Sequence, residues 1–185
     1  MPERPTPPSA LKVLQDGATV RHPVPEDHPH VQEALTDWWG GLGGDAGALQ
    51  RRLLVPRLFL QHFSGTSFVV EGPDRSLRAF LVGFLSQTEP ETAYIHFVGV
   101  CPDSRRSGLG STLYRDFFDL VRGHGRSRVR CITSPSNHDS LAYHARMGFR
   151  TELGDSTDDG SGQDVPTHTD YDGPGLDRVS FVRRI

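Results

Sequence analysis

A chain of 185 residues is long enough for one domain with a real core and short for two. A net charge of −3 gives no basic field to draw nucleic acid, and no apolar run approaches the ~20 residues that cross a bilayer. Lys12 is the single lysine, which argues against lysine-based phosphate loops and Schiff-base chemistry, and Cys101 and Cys131 have neither disulfide-framework nor zinc-site spacing.

The expectation is therefore a protein of the cytoplasm with no resident metal. Residues 1–17 are rich in proline and lack apolar periodicity, so they read as a flexible arm ahead of a single domain over residues 18–185. Residues 18–24 suit a first strand. Asp27 or His28 can cap a helix with Pro29 in its first turn, and Val31, Ala34, Leu35 and Trp38 recur at helical spacing. Gly40 and Gly41 end that helix. A second begins at Asp45 and carries Leu49, Leu53 and Leu54, and Pro56 should kink or split it before Phe59, Leu60 and Phe63.

Three strand-like runs follow, Ser67–Val70, Leu77–Leu85 and Thr92–Val100, joined by breaks short enough for antiparallel hairpins. A turn then leads into an amphipathic helix with Leu109, Leu113, Phe117, Leu120 and Val121 on one face. Strand Arg128–Thr133, helix His138–Arg146, strand Phe149–Leu153 and strand Arg178–Val182 complete the chain. The strand–helix–strand passage from Thr92 to Thr133 requires a crossover and so a parallel pair, whereas the hairpins before it are antiparallel. The fold class is α/β, a mixed sheet with helices on both faces.

The turn Arg105-Arg106-Ser107-Gly108-Leu109-Gly110-Ser111 lies between a hydrophobic strand and a helix. Backbone N–H groups and the helix dipole make an anion site there, glycines let the backbone approach a diphosphate, and arginines add charge-assisted contacts. A dinucleotide fingerprint would need a third glycine where Leu113 stands, and a nucleoside-triphosphate loop would need a lysine. Gly-x-Gly alone marks no more than a glycine-rich helix cap. Its context is more specific. Val98-x-Val100-x-Pro102 followed by Arg105-x-x-Gly108-x-Gly110 resembles the acyl-CoA signature of the GNAT superfamily, the Gcn5-related N-acetyltransferases. Asn137, Ser140, Leu141, Ala142 and then Met147-Gly148-Phe149 resemble that family's later motif.

The resemblance is specific over residues 92–149 and implies a mostly antiparallel sheet with one splayed parallel strand pair. It implies a bacterial-type acetyltransferase using acetyl-CoA, with coenzyme A as product. The pantetheine arm would lie between strands 92–100 and 128–133, against Val98, Gly99 and Val100, with the Val98 N–H meeting the thioester oxygen. Residues 105–111 would hold the diphosphate, and Asn137 and Ser140 would flank the cofactor.

Direct attack by an amine calls for a base to take its proton and an acid to meet the thiolate. Tyr94 and His96 share one strand face, and an imidazole is the side chain suited to proton relay at neutral pH. His96 is the first choice as base, set evenly against a buried structural histidine. Glu89 and Glu91 could serve through water or simply end the strand. Many GNAT enzymes carry a tyrosine where this chain has His144, with Tyr143 beside it, so the acid lies between His144, Tyr143 and none at all. Both cysteines read as structural.

On the acceptor side, Trp38, Trp39, Phe59, His62 and Phe63 either wall a pocket or pack the core. Residues 152–177 carry eight acidic side chains and no Arg or Lys. Such a stretch is either a solvated insertion or a lid that draws ammonium substrates. The acceptor is an amine-bearing small molecule or peptide, and pairing of two copies is left open. The rival readings are a non-catalytic acyl-CoA sensor of the same fold and a transferase of a longer acyl group.

Overall fold

The computed structural model describes residues 9–158 and 164–185. Residues 1–8 of the expected arm and Asp159 of the acidic stretch lie outside them. The chain forms two compact units, one from Met1–Phe84 with Phe97–Leu120, the other from Leu85–His96 with Val121–Ile185.

In the first unit the strand order is β1 (Lys12–Val13), β2 (Thr19–Arg21), β3 (Phe68–Glu71), β4 (Leu77–Leu85) and β5 (Thr92–Val100), the last shared with the second unit. The pairs from β1 to β4 are antiparallel. Two expectations are corrected here. The arm is not loose to residue 17, because Lys12 and Val13 pair with β2 and Lys12 Nζ reaches Asp116 at 2.6 Å. The first strand stops at Arg21, ahead of Pro23 and Pro25, which cannot donate to a ladder.

Helix α1 (His28–Asp37) buries Val31, Ala34 and Leu35 against Val69, Phe80 and Val82 of the sheet. Pro56 splits the next helical run into α2 (Gly44–Leu54) and α3 (Arg57–His62), as a residue without an N–H should. Helix α4 (Leu109–Gly123) buries Leu113, Phe117 and Val121 completely, the apolar stripe read from the sequence.

In the second unit the order is β5, β6 (Arg128–Thr133), β10 (Val179–Arg184) and β7 (Arg150–Thr151). The β5–β6 pair is parallel and holds register only over Thr92↔Arg128, Ala93↔Val129 and Tyr94↔Arg130. Beyond Tyr94 the strands continue to Val100 and Thr133 outside that ladder. This short parallel pairing sits in an otherwise antiparallel frame, since β6–β10 and β10–β7 are antiparallel. Helix α5 (His138–Arg146) connects β6 to β7.

The strand expected over Phe149–Leu153 shrinks to Arg150–Thr151, with Glu152 N–H still donating to Ser180 C=O at 2.9 Å. Among the described residues of the acidic stretch, β8 (Ser156–Asp158) pairs with β9 (Asp164–Thr167) in a two-stranded sheet. Asp155 then accepts from the N–H and hydroxyl of Thr169, and Asp177 accepts from Asp170 N–H.

Candidate functional site

The first unit builds a strand–loop–helix passage from Val98 to Ser111. Val98 and Val100 are half-buried, and Gly99 between them is buried. A 3₁₀ turn, Pro102–Ser104, follows Cys101. Arg106 (φ 63°) and Gly108 (φ 90°) both take the left-handed region, which reverses the chain into α4. The helix's first bond runs from Thr112 N–H to Gly108 C=O at 2.9 Å. The N–H groups of Leu109, Gly110 and Ser111 therefore lead the helix with no intrahelical acceptor. A Cβ on Gly108 would meet nothing within 4 Å, so the loop is open at Gly108, ahead of the positive end of the dipole.

The two arginines of the loop divide their work. Arg105 donates from Nη2 to Trp38 C=O at 2.5 Å and from Nε to Val100 C=O at 3.4 Å, which ties the loop to the end of α1. Arg106 is exposed beside it. Ser107 Oγ donates to Ser104 C=O at 2.6 Å and so braces the turn. The charge expected at Arg105 is present, and two of its donors serve backbone carbonyls. This tie escaped sequence reasoning because its acceptor lies 67 residues away.

Trp38, Trp39 and Phe59 are partly buried against the core, Phe63 packs at a tilt against Phe59 and Phe84, and His62 is exposed. Trp39 meets Phe97 edge-on at 5.7 Å, with the Arg51 guanidinium 5.6 Å from its ring. A cavity of about 320 Å³ between α1 and the turn into β4 is lined by Glu33, Asp37, Trp38, Asp74 and Arg75 and holds none of the loop residues.

The second unit carries the titratable candidates. Tyr94 and His96 are half-buried on β5. Burial pushes the Tyr94 phenol well above its ordinary value, and Tyr171, Cys131 and Asp172 nearby push the same way. Tyr94 therefore stays protonated at neutral pH, able to donate and unable to act as a base. Asp172 is itself held by Arg178 at 2.7 Å. That the acidic stretch returns to Tyr94 could not be read from its composition.

Glu89 and Glu91 prove to be pins. Glu89 accepts from the Thr92 hydroxyl at 2.8 Å and from Arg130 at 3.0 Å, and Glu91 takes Arg128 at 2.9 Å. Arg130 also reaches Glu152 at 2.7 Å. These bonds cross the three paired positions of β5 and β6 and brace the parallel pair just before it ends.

On α5, Asn137 is the N-cap, its Oδ1 accepting from Ser140 N–H at 3.1 Å. His144 is buried, with Nδ1 donating to Ser140 C=O at 2.7 Å, and Ser140 Oγ stands 3.1 Å from the same nitrogen. Its ring stacks on Phe181 at 4.8 Å and meets Phe149 edge-on at 5.3 Å. Burial lowers the His144 pKa, partly offset by the Ser140 bond, so the imidazole is neutral at pH 7. Tyr143 is half-buried, with the Arg146 guanidinium 5.9 Å from its ring. Cys131 is buried and its thiol is pushed far up by desolvation, which removes it as a nucleophile.

Among the described residues no group of three or more His, Cys, Asp or Glu is placed to hold a metal, and no helix is long and apolar enough to cross a membrane.

Comparison with known proteins places these features. A model of the Acetyltransferase (GNAT) family matches residues 25–149. The L-2,4-diaminobutyric acid acetyltransferase of Nocardia farcinica (strain IFM 10152) is 32% identical over 93 residues, covering 50% of this chain and 48% of that protein. The match thus spans about half the length of that relative. Among solved structures, the diaminobutyrate acetyltransferase of Paenibacillus lautus, in complex with L-2,4-diaminobutyric acid and coenzyme A, superposes with TM-score 0.61 at 22% identity, covering 89% of this chain and 93% of that one. Ard1 from Thermoplasma volcanium gives 0.65 at 20% identity, over 91% and 97% of the two chains. Likeness at these identities is likeness of fold.

Proposed function

The chain belongs to the GNAT acetyltransferase family, and from that premise we propose that it is an acetyl-CoA-dependent N-acetyltransferase acting on a primary amine of a small polar molecule. The observation that carries this reading is the start of α4, where the N–H groups of Leu109, Gly110 and Ser111 precede the first intrahelical bond and Gly108 and Arg106 ahead of them are exposed. That cradle suits the diphosphate of coenzyme A in donor set, charge and access.

What bound acetyl-CoA supplies is an acetyl group activated as a thioester, open to attack by an amine. Val98, Gly99 and Val100 offer backbone edges to the pantetheine amides, with the Val98 N–H as donor to the thioester oxygen. His96 takes the proton that a protonated amine must lose. Tyr94 holds its proton and orients the incoming group as a donor. His144 is neutral and bonded to Ser140, so it is a poor proton source for the departing thiolate; it holds α5 to Phe149 and Phe181 instead. Tyr143 is left as the hydroxyl of α5 for that step. A thiol with an ordinary pKa near ~8.5 also leaves tolerably without help.

For the acceptor we favour a short diamino acid. The Nocardia relative is named for L-2,4-diaminobutyric acid, and the acidic segment that brings Asp172 and Tyr171 to Tyr94 supports an ammonium-bearing substrate.

A thermal-shift series with acetyl-CoA, CoA, ATP and NAD tests the cofactor. A ligand at ~100 times its Kd adds about 2.7 kcal/mol, which is roughly 5–10 °C for a chain of this size. Shifts with the CoA species alone are expected, followed by CoA release when L-2,4-diaminobutyrate is added with acetyl-CoA. Equal shifts with ATP, or none with CoA, would remove the assignment. CoA binding without turnover of any amine would leave a sensor.

A further inference from the structure

The acidic segment of the second unit braces itself with its own carboxylates. Asp155 accepts from Thr169 N–H at 2.9 Å, Asp177 from Asp170 N–H at 2.8 Å, and Asp170 from Gly175 N–H at 2.6 Å. Asp172 instead meets a cation. Arg178 donates from Nε to Asp172 Oδ2 at 2.7 Å and from Nη1 to the Asp177 carbonyl at 2.7 Å. Two corners of a planar guanidinium are thereby fixed by the protein. The third, Nη2, has no partner among the described residues, and neither does the second oxygen of Asp172. The Arg178 side chain is 14% exposed and that of Asp172 37%, so the pair is held in place yet open on its acidic side. Val179, next to Arg178, pairs with Thr133 at the end of β6, where the ladder to β5 has already stopped at Tyr94↔Arg130. Asp172 and Arg178 both act on the Tyr94 phenol, the first raising its pKa and the second lowering it.

We propose that the Asp172–Arg178 pair reads the head group of an α-amino acid acceptor, Asp172 taking the α-ammonium and Arg178 Nη2 the carboxylate. This rests on the reading of the chain as an acetyltransferase of a short diamino acid, and it names the residues that select such an acceptor. An ammonium and a carboxylate on one carbon need an anionic acceptor and a cationic donor in contact with each other. An ion pair open on both members supplies them. Acidic side chains alone would serve a plain diamine equally well. The guanidinium makes the distinction, because a diamine brings it no anion and adds a like charge. Each member of the pair neutralises the other before a ligand arrives, so binding adds bonds without leaving a charge stranded.

Calorimetric titration of the full chain in the presence of CoA, with three compounds, tests this. L-2,4-Diaminobutyrate carries both charges of the head group, 1,3-diaminopropane lacks the carboxylate, and 4-aminobutyrate lacks the α-amine. The natural chain should bind L-2,4-diaminobutyrate roughly 10–100 times more tightly than either analogue, the usual worth of a hydrogen bond to a charged group. Arg178→Ala should erase the advantage over 1,3-diaminopropane, and Arg178→Lys should restore part of it. Asp172→Asn should erase the advantage over 4-aminobutyrate and keep the other. A segment merely loosened by these changes would weaken all three compounds alike, so the ratios carry the result. Equal binding of amino acid and diamine by the natural chain overturns the proposal, and so does binding of none of the three. Ratios that survive Arg178→Ala and Asp172→Asn also overturn it. The readout is affinity, not turnover. Discrimination without acetyl transfer keeps the head-group site and removes the enzymatic reading, whereas transfer without discrimination does the reverse.

Discussion

The ring of Phe80 occupies the space a side chain at position 99 would need: a Cβ on Gly99 would stand 2.5 Å from Phe80 Cε1. Phe80 is fully buried in the core cluster and stacks on Phe97 at 5.9 Å, so it has no room to retreat. Gly99→Ala should therefore destabilise the fold by about 1–3 kcal/mol, the usual range for overpacking. In a Phe80→Leu background the same change should cost less, because the ring atoms that collide are gone. Thermal midpoints of the four proteins in that cycle measure the coupling. Equal cost in both backgrounds would show that the glycine is needed for another reason.

A buried ion triad in the first unit gives a second, larger effect. Arg21 meets both carboxylate oxygens of Asp27 at 2.7 Å and Glu71 at 2.9 Å, with Arg21 and Asp27 each under a tenth exposed. The hydrogen bond to Asp27 raises the Arg21 pKa, so the guanidinium stays charged. Asp27→Ala leaves that charge half-compensated in the interior and removes the acceptor of Val24 N–H as well. Loss of about 3–5 kcal/mol is expected, read as a lower urea midpoint with unchanged slope. A loss below about 1 kcal/mol would mean Glu71 alone suffices.

These two features show what the sequence could and could not convey. Period and length placed β4, β5, β6 and α5 at the bounds the structure has, because long alternating or helical apolar runs are local signals. Gly99 within a strand was a legible sign of close approach, but which ring approached it was not. Lys12–Val13 had no pattern of its own, and its strand exists because β2 offers an edge. Asp27 or His28 was expected to cap the first helix; Asp27 stands at the N-cap of α1 but makes no side-chain cap bond there, and its carboxylate goes to Arg21. Asn137, which the resemblance sets beside the cofactor, also caps α5 through its Oδ1, a local bond to Ser140 three residues on. The Lys12–Val13 pairing and the Asp27 carboxylate depend on partners that sequence spacing does not reveal.

His144 makes stability depend on pH. Burial lowers its pKa in the folded protein, while the unfolded chain titrates near the ordinary ~6.5. Below that value the unfolded state binds the proton the folded state refuses, so stability falls as pH drops from about 6.5 toward the folded pKa. Above it the group contributes no slope. His144→Phe should flatten this part of the stability profile between pH 7 and 5, since phenylalanine can occupy the stack with Phe149 and Phe181 without titrating. Urea denaturation at half-unit pH steps makes the comparison. An unchanged slope would place the acid sensitivity elsewhere.

Tyr94 and His96 share a strand face and should separate cleanly in kinetics. Tyr94 is held protonated by burial and by Tyr171, Cys131 and Asp172, so it has no proton to lose in the working range. Tyr94→Phe should then lower kcat/KM by removing a donor while leaving the acidic limb of the pH profile where it was. His96→Ala, by contrast, should lower kcat/KM by roughly 10²–10⁴, the contribution of a positioned base, and abolish that limb. Neither change should alter the shift produced by CoA alone, because both residues lie outside the α4 loop. The discriminating result is the limb. If it survives His96→Ala, the amine arrives already neutral or another group takes its proton, and His96 is a structural residue of β5. If it disappears with Tyr94→Phe instead, the phenol and not the imidazole governs deprotonation, and the strand face works in the reverse order to the one proposed.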